Sequence, residues 1–257
     1  MANRTLKIVI LCGDGRSSRI MYNGLADHVS VASVIIEDKP FSLHVINRRL
    51  KKLGILKVGG QILFLLLNNI LSKKTDARIA QLMINFNLND SNFPDEVIRK
   101  VDSVNSETTI RLLQKIKPDA VVINGTRILS KNILSSIQAP FINTHMGITP
   151  RYRGVHGGYW ALAMDDADNC GVTIHLVDEG IDTGGILYQE RISPNHKDDF
   201  NTYPIHQIAK AIPLMKLALT DIGENRIKVK EDVSPSRLWY HPTLFEYLKY
   251  WKDKGVK

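Results

Sequence analysis

The chain has 257 residues, 44% of them hydrophobic and 23% charged, and a net charge of +8. That is enough chain and enough apolar content for one large domain, or one domain with an extension, which excludes a disordered or low-complexity polypeptide. The two cysteines, Cys12 and Cys170, are far apart and lack CxxC spacing, so the sequence predicts neither a disulfide framework nor a structural zinc site and points to a reducing, cytoplasmic setting.

The opening residues lead into the apolar run Ile8 to Cys12, which is too short for a secretory h-region and ends in a glycine loop. We read Leu6 to Cys12 as a strand of a parallel sheet, buried on both faces, and no signal peptide. The loop Gly13-Asp14-Gly15-Arg16 then opens a helix. Strand, glycine loop and helix start present backbone N–H groups to an anion, so Gly13, Gly15 and Arg16 are candidate substrate-binding residues; a plain turn is the alternative. Walker A spacing is absent. Val29 to Ile36 reads as the second strand.

Residues 41–90 break the alternation and read as helices: a basic one near 43–53, an apolar one near 59–71 and a third near 75–86. Between Phe41 and Ala80, eight basic residues (Arg48, Arg49, Lys51, Lys52, Lys57, Lys73, Lys74 and Arg78) face one acid, Asp76, so nearly all the excess charge sits here. Three readings stay open: contact with the pyrophosphate of a nucleotide, peripheral contact with a membrane, or a solvated helix face over an apolar face that packs on the core. The run Ile62 to Leu67 by itself is too short to span a bilayer.

The alternation resumes with Glu96 to Val101. Ser106 offers an N-cap to a helix over Glu107 to Ile116. Asp119 to Asn124 and Phe141 to His145 read as strands, Gly157 to Met164 as a helix, and Cys170 to Val177 and Ile186 to Ile192 as two further apolar runs. A long amphipathic helix follows over Tyr203 to Leu219. The tail, Leu238 to Trp251, holds six of the eighteen aromatic residues. Leu244, Tyr247, Leu248 and Trp251 have helical spacing and suit packing on the domain or on a second subunit, while stacking on a nucleotide base is the other use of such a face. The order of elements predicts an α/β protein: a Rossmann-like, mostly parallel sheet with helices on both faces, a helical insertion and a short C-terminal extension. The expected boundaries are 1–225 for a catalytic domain, carrying the basic insertion at about 41–90, and 226–257 for the extension.

Three residues concentrate the chemistry. Asn143 and His145 are two apart on an extended segment, so they point to one side, an amide beside a titratable imidazole. The turn-rich stretch Val177 to Leu187 can carry Asp182 to them. Taken singly, Asn143 and Asp182 read as turn residues and His145 as a hydrogen-bonded core histidine. Together, with Asp178-x-Gly180-x-Asp182-x-Gly184 and Arg151-Tyr152-Arg153-Gly154, they resemble the active site of enzymes that move a formyl group from N10-formyltetrahydrofolate to an amine. The resemblance covers roughly residues 5–40 and 95–225. It implies Asn143, His145 and Asp182 as catalytic residues. It also implies a pterin slot between the loops 124–129 and 177–181, with Ile128, Leu129 and Val177 as cofactor-binding residues. Gly154 matches the glycine beside the substrate channel.

Such chemistry needs donors for an oxyanion and an exit for the amine's proton, but no covalent nucleophile and no metal. Neither cysteine is placed to act, and both read as buried fillers.

Acceptor choice within this family rests on departures from its patterns. Methionyl-tRNA formyltransferases carry a further domain, and only about thirty residues follow the last core helix here, so no nucleic-acid partner is expected. Glycinamide ribonucleotide formyltransferases carry Glu-His-x-x-Tyr-Pro where this chain reads Ile208-Ala209-Lys210-Ala211-Ile212-Pro213. They also carry Gly-Ser-Asn where it reads Gly15-Arg16-Ser17. The remaining branch formylates nucleotide-linked amino sugars, and the chain resembles its GDP-perosamine type, which serves O-antigen and cell-surface glycan synthesis. A homodimer is expected by the same resemblance. The phosphoribosylglycinamide enzyme of purine synthesis is the alternative within the family. From another class, a metal-dependent hydrolase would use His145, His156 and His175, without an H-x-H or H-E-x-x-H pattern to support it.

Overall fold

Continuous apolar runs bounded by glycine and polar turns form strands buried on both faces. In the computed structural model, which describes residues 5–37 and 49–257, seven of them make one sheet. These are β1 (Lys7–Cys12), β2 (Ser30–Glu37), β3 (Ile98–Val101), β4 (Ala120–Asn124), β5 (Phe141–His145), β7 (Gly171–Leu176) and β8 (Ile186–Arg191). A two-residue strand, β6 (Arg153–Gly154), lies outside this sheet. The order is β3-β2-β1-β4-β5-β7-β8; the first five are parallel, and β7 and β8 run antiparallel at one edge. The fold is therefore the mostly parallel α/β sheet that the alternation of elements predicts. The expected strand at 96–101 is shorter, because residues 95–97 form a 3-10 turn.

Residues of β1 alternate between two helical layers. Ile8, Ile10 and Cys12 face one core with Ile20 and Met21 of α1 (Arg16–Leu25) and with Ile208, Met215 and Leu219 of a long helix, Tyr203–Gly223. Val9 and Leu11 face the other, with Leu113 of a helix over Glu107–Ile116. That helix starts where predicted: Ser106 caps it, its hydroxyl accepting from the Thr109 amide.

The chain order reverses between β1 and β4, and in such sheets ligands bind in the crevice at the carboxyl ends of the strands flanking the reversal. A cleft of about 390 Å³ lies there, lined by Gly13, Asp14, Gly15, Ser17, Ser18, Ile36, Glu37, Lys100 and Gly125.

Part of the basic helix expected near 43–53 lies outside the described residues; 49–53 are helical. The apolar helix is longer than expected: α2 (Ile55–Ser72) has 18 residues and is long and apolar enough, by length and composition, to cross a membrane. One stripe of it docks on the domain. Phe64 is fully buried against Phe200 and Tyr247, and the Gln61 amide donates to the His241 carbonyl at 2.8 Å. Asn68 and Asn201 exchange amide hydrogen bonds at 3.1 and 3.0 Å. The opposite stripe is exposed, so the expectation that the apolar face packs wholly on the core holds for one side only. The next helix, α3 (Asp76–Asn85), is fastened by Arg78, whose guanidinium bridges both oxygens of the buried Asp198 at 2.9 and 3.2 Å.

The tail contributes a strand, β9 (Leu238–Trp239), paired in parallel with β6, and a helix, Leu244–Lys254, opened by a Thr243–Glu246 capping box. Trp239 and Tyr247 are buried in an aromatic cluster with Tyr152, Tyr159, Trp160, Phe64 and Phe200. Their rings are thus occupied by the domain, which answers the choice between packing and base stacking for these two. Leu248, Trp251 and Phe245 stay exposed.

Candidate active site

Strand β5 ends at the carboxyl edge of the sheet with Asn143, Thr144 and His145. Alternation aims Asn143 and His145 to the same side, as their spacing predicts. The antiparallel neighbour β7 pairs His175 with Asn143 in register. The turn after β7 returns Asp182 to the pair with a backbone φ of 51°, in the left-handed region that Asp tolerates better than most residues and that recurs at functional turns.

Asp182 is the hub. Its Oδ2 lies 3.2 Å from His145 Nδ1 and accepts from the Gly154 amide at 2.8 Å. Its Oδ1 accepts from Asn143 Nδ2 at 3.3 Å and lies 3.7 Å from His175 Nε2. Burial by itself would raise its pKa, but the rings of His145 and His175 and the Gly154 amide outweigh burial and bring it down to about 2. It is therefore an anion under all ordinary conditions.

His145 is 5% exposed, and its Nε2 lies 2.6 Å from the Tyr152 carbonyl. Its Nδ1 faces the Asp182 carboxylate, so both ring nitrogens meet acceptors: the protonated ring can donate to both, and the neutral ring to one of them. Burial pulls the imidazole below its ordinary pKa and is the larger effect; the Asp182 carboxylate and the Tyr152 carbonyl pull upward. His175 Nδ1 meets the Leu176 carbonyl at 2.6 Å, and its Nε2 lies 3.1 Å from Asn143 Nδ2. Both N–H groups of Asn143 thus point inward, to His175 and Asp182. Asn143 and Asp182 reach the surface, while His145 lies behind them.

The supports of this array come from a loop and the tail. Gly147 sits under the His145–Tyr152 hydrogen bond, where a Cβ would meet both partners. Gly154 has φ 96°, and a Cβ there would collide with the Trp239 carbonyl. Trp239 Nε1 donates to the Arg151 carbonyl at 3.0 Å, its carbonyl accepts from Val155, and its ring stacks on Tyr152 and Trp160 at 5.6 and 4.7 Å. The two groups that hold His145 and Asp182, the Tyr152 carbonyl and the Gly154 amide, therefore lie on the segment that β9 buttresses. Gly147, Trp239 and the role of His175 were not foreseen from the sequence.

The remaining expected residues fall as follows. Gly13 and Gly15 line the cleft, and the Gly15 amide donates to the Gly13 carbonyl. Arg16 opens α1 with its guanidinium paired to Asp90 at 3.0 Å. Leu129 is buried in the apolar cluster against which Val177 packs, so the loops at 124–129 and 177–181 meet; Ile128 is exposed and its carbonyl accepts from Asn105. Cys12 and Cys170 are buried free thiols, and burial pushes Cys170 up to about 12. His156 does not join His145 and His175: its Nε2 lies 3.0 Å from His241 Nδ1. Among the described residues no three potential His, Cys, Asp or Glu ligands converge.

Comparisons with known proteins meet this geometry. Residues 67–209, more than half of the chain, match the model of the formyl transferase family. The methionyl-tRNA formyltransferase of Caldicellulosiruptor saccharolyticus is 31% identical over 161 residues, which are 62% of this chain and 49% of that protein. The chain thus spans about half the length of this curated relative. Two solved structures share the fold. A sugar N-formyltransferase from a Shewanella species has 16% identity and TM-score 0.56, covering 91% of this chain and 76% of that one. Glycinamide ribonucleotide transformylase 1 from Symbiobacterium toebii has 17% identity and TM-score 0.58, covering 93% and 96%. The matched segment contains Asn143, His145, His175 and Asp182, and by that match the chain belongs to the formyl transferase family.

Proposed function

We propose that the chain transfers the formyl group of N10-formyltetrahydrofolate to the amine of a nucleotide-linked amino sugar, of the GDP-perosamine kind, in the cytoplasm and for cell-surface glycan synthesis. The observation that carries formyl transfer is the Asn143–Asp182–His145 array, an amide and a carboxylate at the surface with an imidazole 3.2 Å behind the carboxylate. The amine attacks the formyl carbon, a C–N bond forms and the carbonyl oxygen takes up negative charge. That oxygen competes for the Asn143 N–H held by the longer 3.3 Å contact with Asp182. Asp182, freed of that donor, accepts the proton leaving the amine. A carboxylate held at about 2 does not keep it, and the His145 ring 3.2 Å away, kept neutral by burial, takes it on at Nδ1 when that nitrogen is unprotonated. Collapse of the intermediate breaks the bond to N10, which is reprotonated as it leaves. We assign the pterin to the meeting of Leu129 and Val177, with Ile128 at its rim. The anionic part of the acceptor is assigned to the Gly13–Gly15 cleft with Arg16, and the channel to Gly154. We assign catalysis to residues 1–225 and a supporting role to the extension at 226–257.

The sugar acceptor is favoured over glycinamide ribonucleotide by Ile208 and Ile212 on the last core helix, where the latter enzymes carry an acid and a tyrosine. The test is a panel: amino-sugar nucleotides, glycinamide ribonucleotide and methionyl-tRNA, each incubated with N10-formyltetrahydrofolate and scored by mass for the formamide. Formylation of an amino-sugar nucleotide, abolished by Asn143→Ala, supports the reading. Turnover of glycinamide ribonucleotide or methionyl-tRNA alone overturns the acceptor, and turnover unaffected by Asn143→Ala overturns the site.

A further inference from the structure

We propose that the outward face of α2 seats the protein on an anionic lipid surface. The helix is about 27 Å long at 1.5 Å per residue. Its inward stripe, Val58, Gln61, Phe64 and Asn68, is held by the domain. The opposite stripe follows the helical repeat through Ile55, Ile62, Leu63, Leu66 and Ile70, with Leu56 beside it. Every one of these six is at least 48% exposed, and Leu56 is 90% exposed. Solvent-facing helix surfaces are ordinarily polar, and a contiguous apolar strip of this length marks a surface that meets something apolar.

Charge identifies the occupant. Residues 55–72 contain no acid. Lys51, Lys52 and Lys57 stand at one end; Lys73 and Lys74 stand at the other, and Lys73 continues the row of Leu66 and Ile70 by the same repeat. An apolar strip with cations at both ends fits the boundary between acyl chains and anionic headgroups, where lysine stems lie along the apolar layer and their ammonium groups reach the phosphates. A second copy fits less well, because a two-fold contact sets the same patch against itself and brings lysine-bearing ends together. The three anchors Gln61, Phe64 and Asn68 keep the helix on the domain, so it lies in the plane of the surface and does not cross it. The inference stands apart from the choice of acceptor, since no residue of the strip belongs to the candidate active site.

The experiment is co-sedimentation of the full chain with vesicles of phosphatidylcholine alone and of phosphatidylcholine mixed with phosphatidylglycerol, at low and high salt. Gel filtration runs in parallel. Sedimentation with the anionic vesicles is expected, weakened by salt and absent with phosphatidylcholine alone. Leu63→Gln/Leu66→Gln, at exposed positions that leave the fold intact, lowers partitioning at least about tenfold. Lys73→Gln/Lys74→Gln weakens it and reduces its salt dependence. Turnover without lipid is unchanged in both. The proposal is overturned if the wild-type chain stays in solution at low salt, if the leucine variant sediments like wild type, or if neutral vesicles bind equally well. It is also overturned if the chain is a dimer that Leu63→Gln/Leu66→Gln dissociates while no vesicle binding is seen.

Discussion

Replacing Trp239 tests whether the tail holds the active site in register. The residue is 7% exposed, stacks on Tyr152 and Trp160, and donates to the Arg151 carbonyl. Trp239→Ala removes the ring and leaves a cavity, which costs about 3–5 kcal/mol of stability. Trp239→Phe keeps most of the packing and loses the indole donor, about 1 kcal/mol. The catalytic consequence follows from what the ring supports: Tyr152 supplies the carbonyl at His145 Nε2, and Gly154 supplies the amide at Asp182 Oδ2. A shift of about 1 Å at such supports costs roughly a hundredfold in rate. We therefore expect Trp239→Ala, assayed where urea melts show it folded, to lose ten- to a hundredfold in kcat, and Trp239→Phe a few-fold, by the same estimate. The KM for the formyl donor should change little, because Leu129 and Val177, the residues proposed to hold the pterin, lie in a cluster apart from Trp239. A folded Trp239→Ala protein with wild-type kcat refutes the coupling.

Asp182→Asn should lower kcat by roughly two or more orders of magnitude while substrate binding changes far less, as measured by steady-state kinetics and donor titration. The acid limb of the wild-type rate profile should lie below the ordinary imidazole value, since burial depresses His145. Any residual activity of Asp182→Asn should show it lower still, since the carboxylate that raises His145 is gone; a limb that moves up contradicts the assignment. Gly154→Ala places a Cβ against the Trp239 carbonyl at a positive φ, so a loss of about 1–3 kcal/mol in denaturant melts, with a fall in kcat, is expected. The buried His156, held at about 3 by desolvation and by His241, binds its proton in the unfolded chain at a higher pH than in the folded one. Its contribution to stability is complete above pH 6.5 and is lost as pH falls toward 3, so urea midpoints should fall across that window, and His156→Gln should flatten the slope.

The sheet, and the grouping of Asn143, His145 and Asp182 into one candidate site, are legible in the amino-acid order alone. Continuous apolar runs with glycine punctuation specify buried parallel strands wherever they occur, and the Ser106 cap fixes a helix start locally. The two-residue spacing of Asn143 and His145 puts them on one side of any strand. What that order leaves open depends on register and on contacts between distant segments. His175 serves Asn143 only because β7 pairs with β5 in that register, and a shift of one residue would turn it away. Trp239 acts on residues 152–154 across more than eighty residues of chain, a contact that no local pattern records. Between Ile55 and Ser72 the residues are apolar nearly all round, a pattern that ordinarily signals burial. That one side of α2 docks on Phe200 and Tyr247 while the other has no partner among the described residues emerges from the folded chain, because burial is set by what distant segments can reach.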